Sequence, residues 1–221
     1  MTPAVYIQAL PEPPLCRREM LRYAHCRAEA EDTLGLLESC IGELDGRLSY
    51  RVCRCELPVE ISGDRCNFGS FAVKSAGLAK NLGGCKSALL FAATVGIEPD
   101  RLVQRYSRLS PARALMIQAI GAERIEALCD EFCRRYESEQ GCGLGPRFSP
   151  GYGDLSLDCQ EDIFRLLDCP RRLGLCLNQS RLMSPTKSVT AFAGILPAPV
   201  RQTQHKCALC NNTGCAYRSN I

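Results

Sequence analysis

In the segment RAEAEDTLGLLESCIGEL, Leu34, Leu37, Ile41 and Leu44 recur at spacings of three or four. That spacing places them on one face of an amphipathic helix, and Gly46 follows as its stop. Upstream, Pro13 and Pro14 stand just before LCRREMLRYAHC. Proline suits a first helical turn, so an earlier helix begins there. After Gly46 the pattern changes to alternation. Leu48, Tyr50 and Val52, then Leu57, Val59 and Ile61, predict one or two strands. SFAVKSAGLAKNLGG predicts a helix closed by Gly83 and Gly84. SALLFAATVG, with the longest apolar stretch from Ala88 to Val95, predicts a buried central strand.

Ser110-Pro111 opens the longest predicted helix, serine as N-cap and proline at the first position, running to about Glu137. Met116, Ile120, Ile125, Leu128 and Phe132 supply much of its buried stripe. The glycines and prolines of GCGLGPRFSPGYGD predict a loop. Ser156 to Leu167 predicts another helix, with Asp158, Glu161 and Asp162 in the early turns where the helix dipole favours negative charge. RRLGLCLNQS and KSVTAFAGIL are strand candidates. No internal repeat is present. Helices interleaved with strands that pair as hairpins imply an α+β fold with an antiparallel sheet and flanking helices. The chain divides into a domain of residues 1–196 and a cysteine-rich tail of residues 197–221.

Composition narrows the function classes. The 221 residues are long enough to bury a sizeable core. A net charge of +3, with no basic run interleaved with aromatics, does not point to nucleic acid. The N-terminus lacks the pattern of a secretory signal, and no apolar stretch approaches the roughly 20 residues a membrane helix needs. The expected location is the cytoplasm. Of the 16 cysteines, Cys26, Cys40, Cys129, Cys133, Cys159 and Cys176 fall singly in segments that read as core. They are expected to pack as reduced, small hydrophobes.

The loop Arg147-Phe148-Ser149-Pro150-Gly151-Tyr152-Gly153-Asp154 concentrates the candidate chemistry. Gly145, Gly151 and Gly153 permit close backbone approach or positive φ. Arg147 offers a planar fork suited to a carboxylate, and Tyr152 a flat face and a hydroxyl. Such a set fits a small zwitterion carrying an aromatic group. By composition alone it fits a surface turn with a solvated arginine equally well.

RFSPGYGD is similar to the Arg-Pro-Ala-Pro-Gly-Tyr stretch of the activation domain of cobalamin (vitamin B12)-dependent methionine synthase. LNQSRLMSPTKSVTAFAGIL resembles that domain's Leu-Thr-Glu-Ser, Met, Pro and Ser-Val segment through Leu177, Ser180, Met183, Pro185, Ser188 and Val189. IQAIGAERIEALCDEF aligns without gaps to the helix before the loop. The likeness to the large synthase covers mainly residues 115 to 195; nearly the whole chain looks like the short stand-alone relatives of that domain. The resemblance implies an activation-domain-like fold that binds S-adenosylmethionine and docks over a cobalamin carried by a partner. Methionine synthase cycles its cobalamin between cob(I)alamin and methylcobalamin, and occasional oxidation strands it as cob(II)alamin. Rescue couples one-electron reduction, by a flavodoxin or another donor, to methyl transfer from S-adenosylmethionine. This chain would then serve a methionine synthase that lacks its own activation domain.

The resemblance assigns Arg147 to the methionyl carboxylate, Glu126 to a positive group of the ligand, and Ser149 and Gly151 to backbone contacts; Tyr152 matches the tyrosine after that glycine. Glu126, close to Glu123 and Arg124, also fits a solvated helix residue, and Tyr152 a packing residue. The chain departs from the synthase at Gly153-Asp154-Leu155, where the synthase has Pro-Ala-Cys-Pro, and at Gln179, where it has glutamate. An acidic N-terminal ligand contact and a late tyrosine contact of the synthase have no match.

The tail carries His205, Cys207, Cys210 and Cys215, a C-x2-C-x4-C spacing with a histidine two before the first cysteine. Three thiolates and an imidazole suit zinc; three thiolates alone suit an iron–sulfur cluster with one open position; a reduced tail is the third reading. A cluster would make the chain a reductive activator of another corrinoid protein, the alternative to an S-adenosylmethionine module. A purely structural partner of a truncated methionine synthase is a further alternative. Other templates fail. His25, in an arginine-rich helix, and His205 are the two histidines, and no nucleophile elbow, Walker loop or dinucleotide fingerprint in its proper context occurs.

Overall fold

The computed structural model describes residues 3–26 and 31–197. Its first part runs β1 (Tyr6–Ala9), α1 (Arg17–Tyr23), α2 (Glu31–Leu44), β2 (Arg51–Pro58), β3 (Glu60–Ser62), β4 (Arg65–Asn67), β5 (Ala72–Lys74), α3 (Ala76–Asn81) and β6 (Ser87–Thr94). Then follow α4 (Glu98–Leu109), α5 (Pro111–Gln140), β7 (Gly143–Leu144), α6 (Cys159–Leu167), α7 (Cys169–Leu173), β8 (Cys176–Leu177), β9 (Met183–Ser184) and β10 (Ser188–Leu196). The architecture is α+β. A five-stranded antiparallel sheet in the order β1-β2-β6-β10-β7 carries helices on its faces.

The sheet is covered on both sides, which explains why β6 is apolar without alternation. Leu89, Phe91 and Ala93 pack on one face against Ile125, Leu128, Phe132 and Tyr136 of α5. Ala88, Leu90 and Ala92 pack on the other, with Cys53, Cys55, Leu57 and Phe192, against Leu78, Ile163, Phe164, Leu167 and Leu173. Each fully buried large side chain contributes roughly 1.5–3 kcal/mol. A third cluster joins α1, α2, α4 and the first turns of α5 through Met20, Leu37, Leu44, Leu102, Met116 and Ile120.

Several predicted elements take a different form. SFAVKSAGLAKNLGG is half strand: Ala72 to Lys74 pairs with β4, and the helix starts only after Ser75, whose side chain accepts from the Leu78 N–H. RRLGLCLNQS begins as the end of α7 and reaches strand only at Cys176. Within the predicted loop, Gly143 and Leu144 form β7. Ser110 precedes α5 but makes no side-chain capping bond. Neighbours in the main sheet are joined by long connections rather than hairpins; the hairpin meander is the separate sheet β3-β4-β5.

None of the described cysteines is in a disulfide. Cys40, Cys129, Cys133 and Cys159 are buried as expected, Cys26 is half-buried, and Cys176 is exposed on β8 instead of lying in the core. Burial pushes the Cys55 and Cys159 thiols up to about 12. The thiolate is the reactive form. Native alkylation mapped by peptide mass spectrometry is therefore expected to label Cys16 and Cys176 first among these residues. Labelling of Cys55 at the rate of Cys176 would contradict the packing of β2.

Candidate functional site

Helix α5 ends at Gly141 in the left-handed region (φ 61), and the chain turns back along β10. The Gly145 N–H donates to the Gly194 carbonyl (2.8 Å), and Phe148 and Phe192 exchange both backbone bonds (2.8 and 2.9 Å). The stretch around Arg147 is thus an extension of the sheet before the loop departs.

From there the Arg147 side chain reaches α5. Its Nη2 lies 2.7 Å from Glu126 Oε2 and its Nη1 2.5 Å from Asp130 Oδ1. Residues four apart share a helix face, so the two carboxylates meet the guanidinium fork side by side. The Arg147 side chain is 11% exposed, Glu126 43% and Asp130 64%, so the cation is sheltered while its partners open to solvent. Burial opposes the Arg147 charge, but Cys129, Asp130 and Glu126 favour it more strongly, and the guanidinium holds its proton more tightly than usual. The sequence resemblance assigns Arg147 and Glu126 to separate groups of a ligand; in the structure the two form an ion pair with each other, and Asp130 lies on the second arm of the fork.

Glu126 does not stand in a wholly solvated neighbourhood. Arg124 is 0% and Glu123 3% exposed, and the two form a buried ion pair on the same helix.

Ser149, Gly151 and Tyr152 lie on the turn that follows. The Tyr152 N–H donates to the Ser149 carbonyl (3.1 Å), and the Gly151 N–H to the Leu155 carbonyl (2.8 Å). Gly151 sits at φ 83, and a Cβ there would meet Leu157 Cδ2 at 3.0 Å, so both backbone angle and space call for glycine. Tyr152 is 56% exposed and meets Phe148 edge-on, ring centroids 5.3 Å apart.

Asp154 is the loop residue whose role the sequence did not reveal. Its carboxylate accepts from Ser75 Oγ (2.5 Å), the Ala76 N–H (2.7 Å) and the Gly77 N–H (3.1 Å), the otherwise unpaired start of α3. A Cβ at Gly77 would lie 2.9 Å from Asp154 Oδ1 and 3.0 Å from Phe148 Cζ. The Ser75 bond foremost, with the Gly77 and Ala76 amides, holds the Asp154 carboxyl below its ordinary range. A lowered folded pKa means that the contribution is present above the unfolded value of about 3.9 and is lost as pH falls through the folded one. Amide-exchange protection at Ala76 and Gly77 is therefore expected to drop in Asp154→Ala at neutral pH and in the wild type below about pH 4. Unchanged protection in the variant would show that this carboxylate does not fasten the loop.

Among the described residues, no cluster of histidine, cysteine, aspartate or glutamate is arranged to hold a metal, and no helix is long and apolar enough to cross a membrane. His205, Cys207, Cys210 and Cys215 lie outside the described residues.

No family model matches the chain, and no curated protein matches it. Among solved structures, it is similar to the MetH reactivation domain crystallised with AdoHcy, at a TM-score of 0.66 and 16% identity, over 88% of this chain and 79% of that one. The fold is that of the methionine synthase reactivation domain.

Proposed function

We propose that this chain binds S-adenosylmethionine and supports reductive remethylation of cob(II)alamin on a cobalamin-dependent methionine synthase that lacks its own activation domain. The observation that carries the reading is the Arg147–Glu126–Asp130 cluster beside a glycine-rich turn, on a fold shared with a domain crystallised with AdoHcy.

The cluster suits the methionyl end of the ligand. That end is a zwitterion, carboxylate beside ammonium, and the cluster is its inverse, a fork beside two carboxylates. An arriving carboxylate takes one side of the Arg147 fork by displacing the more exposed Asp130. Displaced from the fork, Asp130 can accept from the ligand's ammonium, with Glu126 still in place beside it. Charges are exchanged within a preassembled group, so little new charge is desolvated. Tyr152, more than half exposed, offers a ring face for the adenine, and Asp154 fixes the turn against α3. S-adenosylmethionine, once bound, supplies the methyl group to the reduced corrinoid of the partner, while a flavodoxin or similar donor supplies the electron. The chain itself positions the ligand, which is where proximity gains arise. The reading places residues 1–196 in the binding domain, residues 197–221 in a separate tail, and the chain in the cytoplasm.

Calorimetric titration of S-adenosylmethionine into the full chain, alone and with a cobalamin-loaded partner domain, tests this reading. Saturable binding is expected. No binding in either condition overturns it.

A further inference from the structure

A second cluster of guanidinium groups lies on the other side of the sheet from α5. Arg51 is the first residue of β2, and by alternation it shares the face of Cys53, Cys55 and Leu57 that packs toward α6 and α7. Where that apolar row runs out at the end of the strand, Arg51 meets Arg171 and Arg172 from the last turn of α7. With Ile7 of the edge strand and Asp168, these three arginines line an open cleft of about 370 Å³.

The arginines of this cleft are unlike most others in the molecule. Arg17, Arg113, Arg124, Arg134, Arg147 and Arg165 each face a carboxylate. Among the described residues, no carboxylate lies within ion-pairing distance of Arg51, Arg171 or Arg172. Arg51 Nη2 donates to the Arg172 main-chain carbonyl, which fixes its fork against α7. Arg172 Nε is buried and has no hydrogen-bond partner among the described residues. Buried donors are almost always satisfied, so this one calls for an acceptor that the described residues do not supply. Asp168, the single carboxylate of the lining, is held in the left-handed region (φ 49) at the junction of α6 and α7.

We propose that this cleft binds a small phosphate monoester. Guanidinium forks match phosphate oxygens in pairs. Three cations against one carboxylate leave an excess of two positive charges, which suits a dianion better than a monocarboxylate. The volume admits a phosphate with a short organic group and lies at the small end of ligand sites. The assignment is independent of the Arg147 cluster, which is built on α5.

The test is titration of the full chain with glycerol 3-phosphate, dimethyl phosphate, acetate and an oligoglutamate peptide. Saturable binding of glycerol 3-phosphate is expected, with the monoanionic diester and acetate at least tenfold weaker. Arg171→Gln removes an exposed side chain with no hydrogen bond or ion pair to a described residue, so it folds as the wild type does. That variant, and separately Arg172→Gln, are expected to weaken binding by about tenfold or more, while Arg147→Ala leaves it unchanged. Absence of saturable binding to glycerol 3-phosphate, or equal affinity in wild type and Arg171→Gln, overturns the proposal. Binding of the oligoglutamate alone also overturns it and reassigns the cleft to an acidic protein partner.

Discussion

Replacing Arg147 with alanine is expected to weaken S-adenosylmethionine binding by about 2–5 kcal/mol, or roughly 30- to 5,000-fold, the cost of removing one member of a desolvated charge pair. The effect should fall on binding and not on folding. Glu126 and Asp130 are 43% and 64% exposed, so when the guanidinium is lost they return to water and leave no buried charge unpaired. The backbone bonds of Phe148 to Phe192 that hold the loop on the sheet do not involve the side chain. A thermal melt near the wild-type value beside a lost calorimetric signal is therefore the expected pair of results. Arg147→Lys keeps the charge but not the fork, and should recover only part of the affinity. Wild-type affinity in Arg147→Ala would remove the arginine from the ligand site and with it the main physical support for the proposed function.

Arg147 is legible in the sequence through the family resemblance of RFSPGYGD, since by composition alone its loop fits a surface turn as well. Its partners are not legible locally. Asp130 lies 17 residues away and Ser75 lies 79 residues from Asp154, separations over which no local pattern operates. Glu126 came from family resemblance, and local composition argued against it, because Glu123 and Arg124 look like solvent-facing charges until the helix is packed. The same division holds for the fold. The stripe of α5 and the apolar runs of β6 and β10 were readable because burial on a face imposes a period, or on two faces abolishes it. Helix α4 is not legible in the sequence because EPDRLVQRYSRL is mostly polar, and within it only Pro99 and Leu102 are buried. Strand β5 reads as helix in the sequence because its three residues owe their form to pairing with β4, a tertiary fact. Neither the order of the main sheet nor its long crossovers carried a sequence signal, since the apolar rows of β2, β6 and β10 are compatible with several pairings.

The largest loss of stability is expected at the Glu123–Arg124 pair. Arg124 Nε lies 2.5 Å from Glu123 Oε2, and its Nη atoms donate to the Pro13 and Pro14 carbonyls at 2.7 Å each. Glu123 in turn accepts from the Cys16 N–H at 3.1 Å. One buried ion pair thus fastens the segment between β1 and α1 to the middle of α5 and satisfies three backbone groups of a stretch that has no secondary structure. Burial works against the Arg124 charge, and Glu123 more than offsets it. Arg124→Ala leaves the Glu123 carboxylate 3% exposed with no cation, a situation that costs about 3–5 kcal/mol. For a chain of this size the melting temperature should fall by roughly 6–20 °C. A double replacement, Glu123→Leu with Arg124→Met, removes both charges and should be less damaging than either single change, as the stranded charge is the main cost. It should not restore the wild type, because the Pro13 and Pro14 carbonyls and the Cys16 N–H lose their partners. Melts of the wild type, Glu123→Leu, Arg124→Met and the double variant, and the coupling energy they define, check this directly. Additive losses across the cycle, or a fall below about 3 °C for Arg124→Ala, would mean that the pair is hydrated in solution and that the N-terminal segment is held by apolar contacts such as Leu10 and Met20.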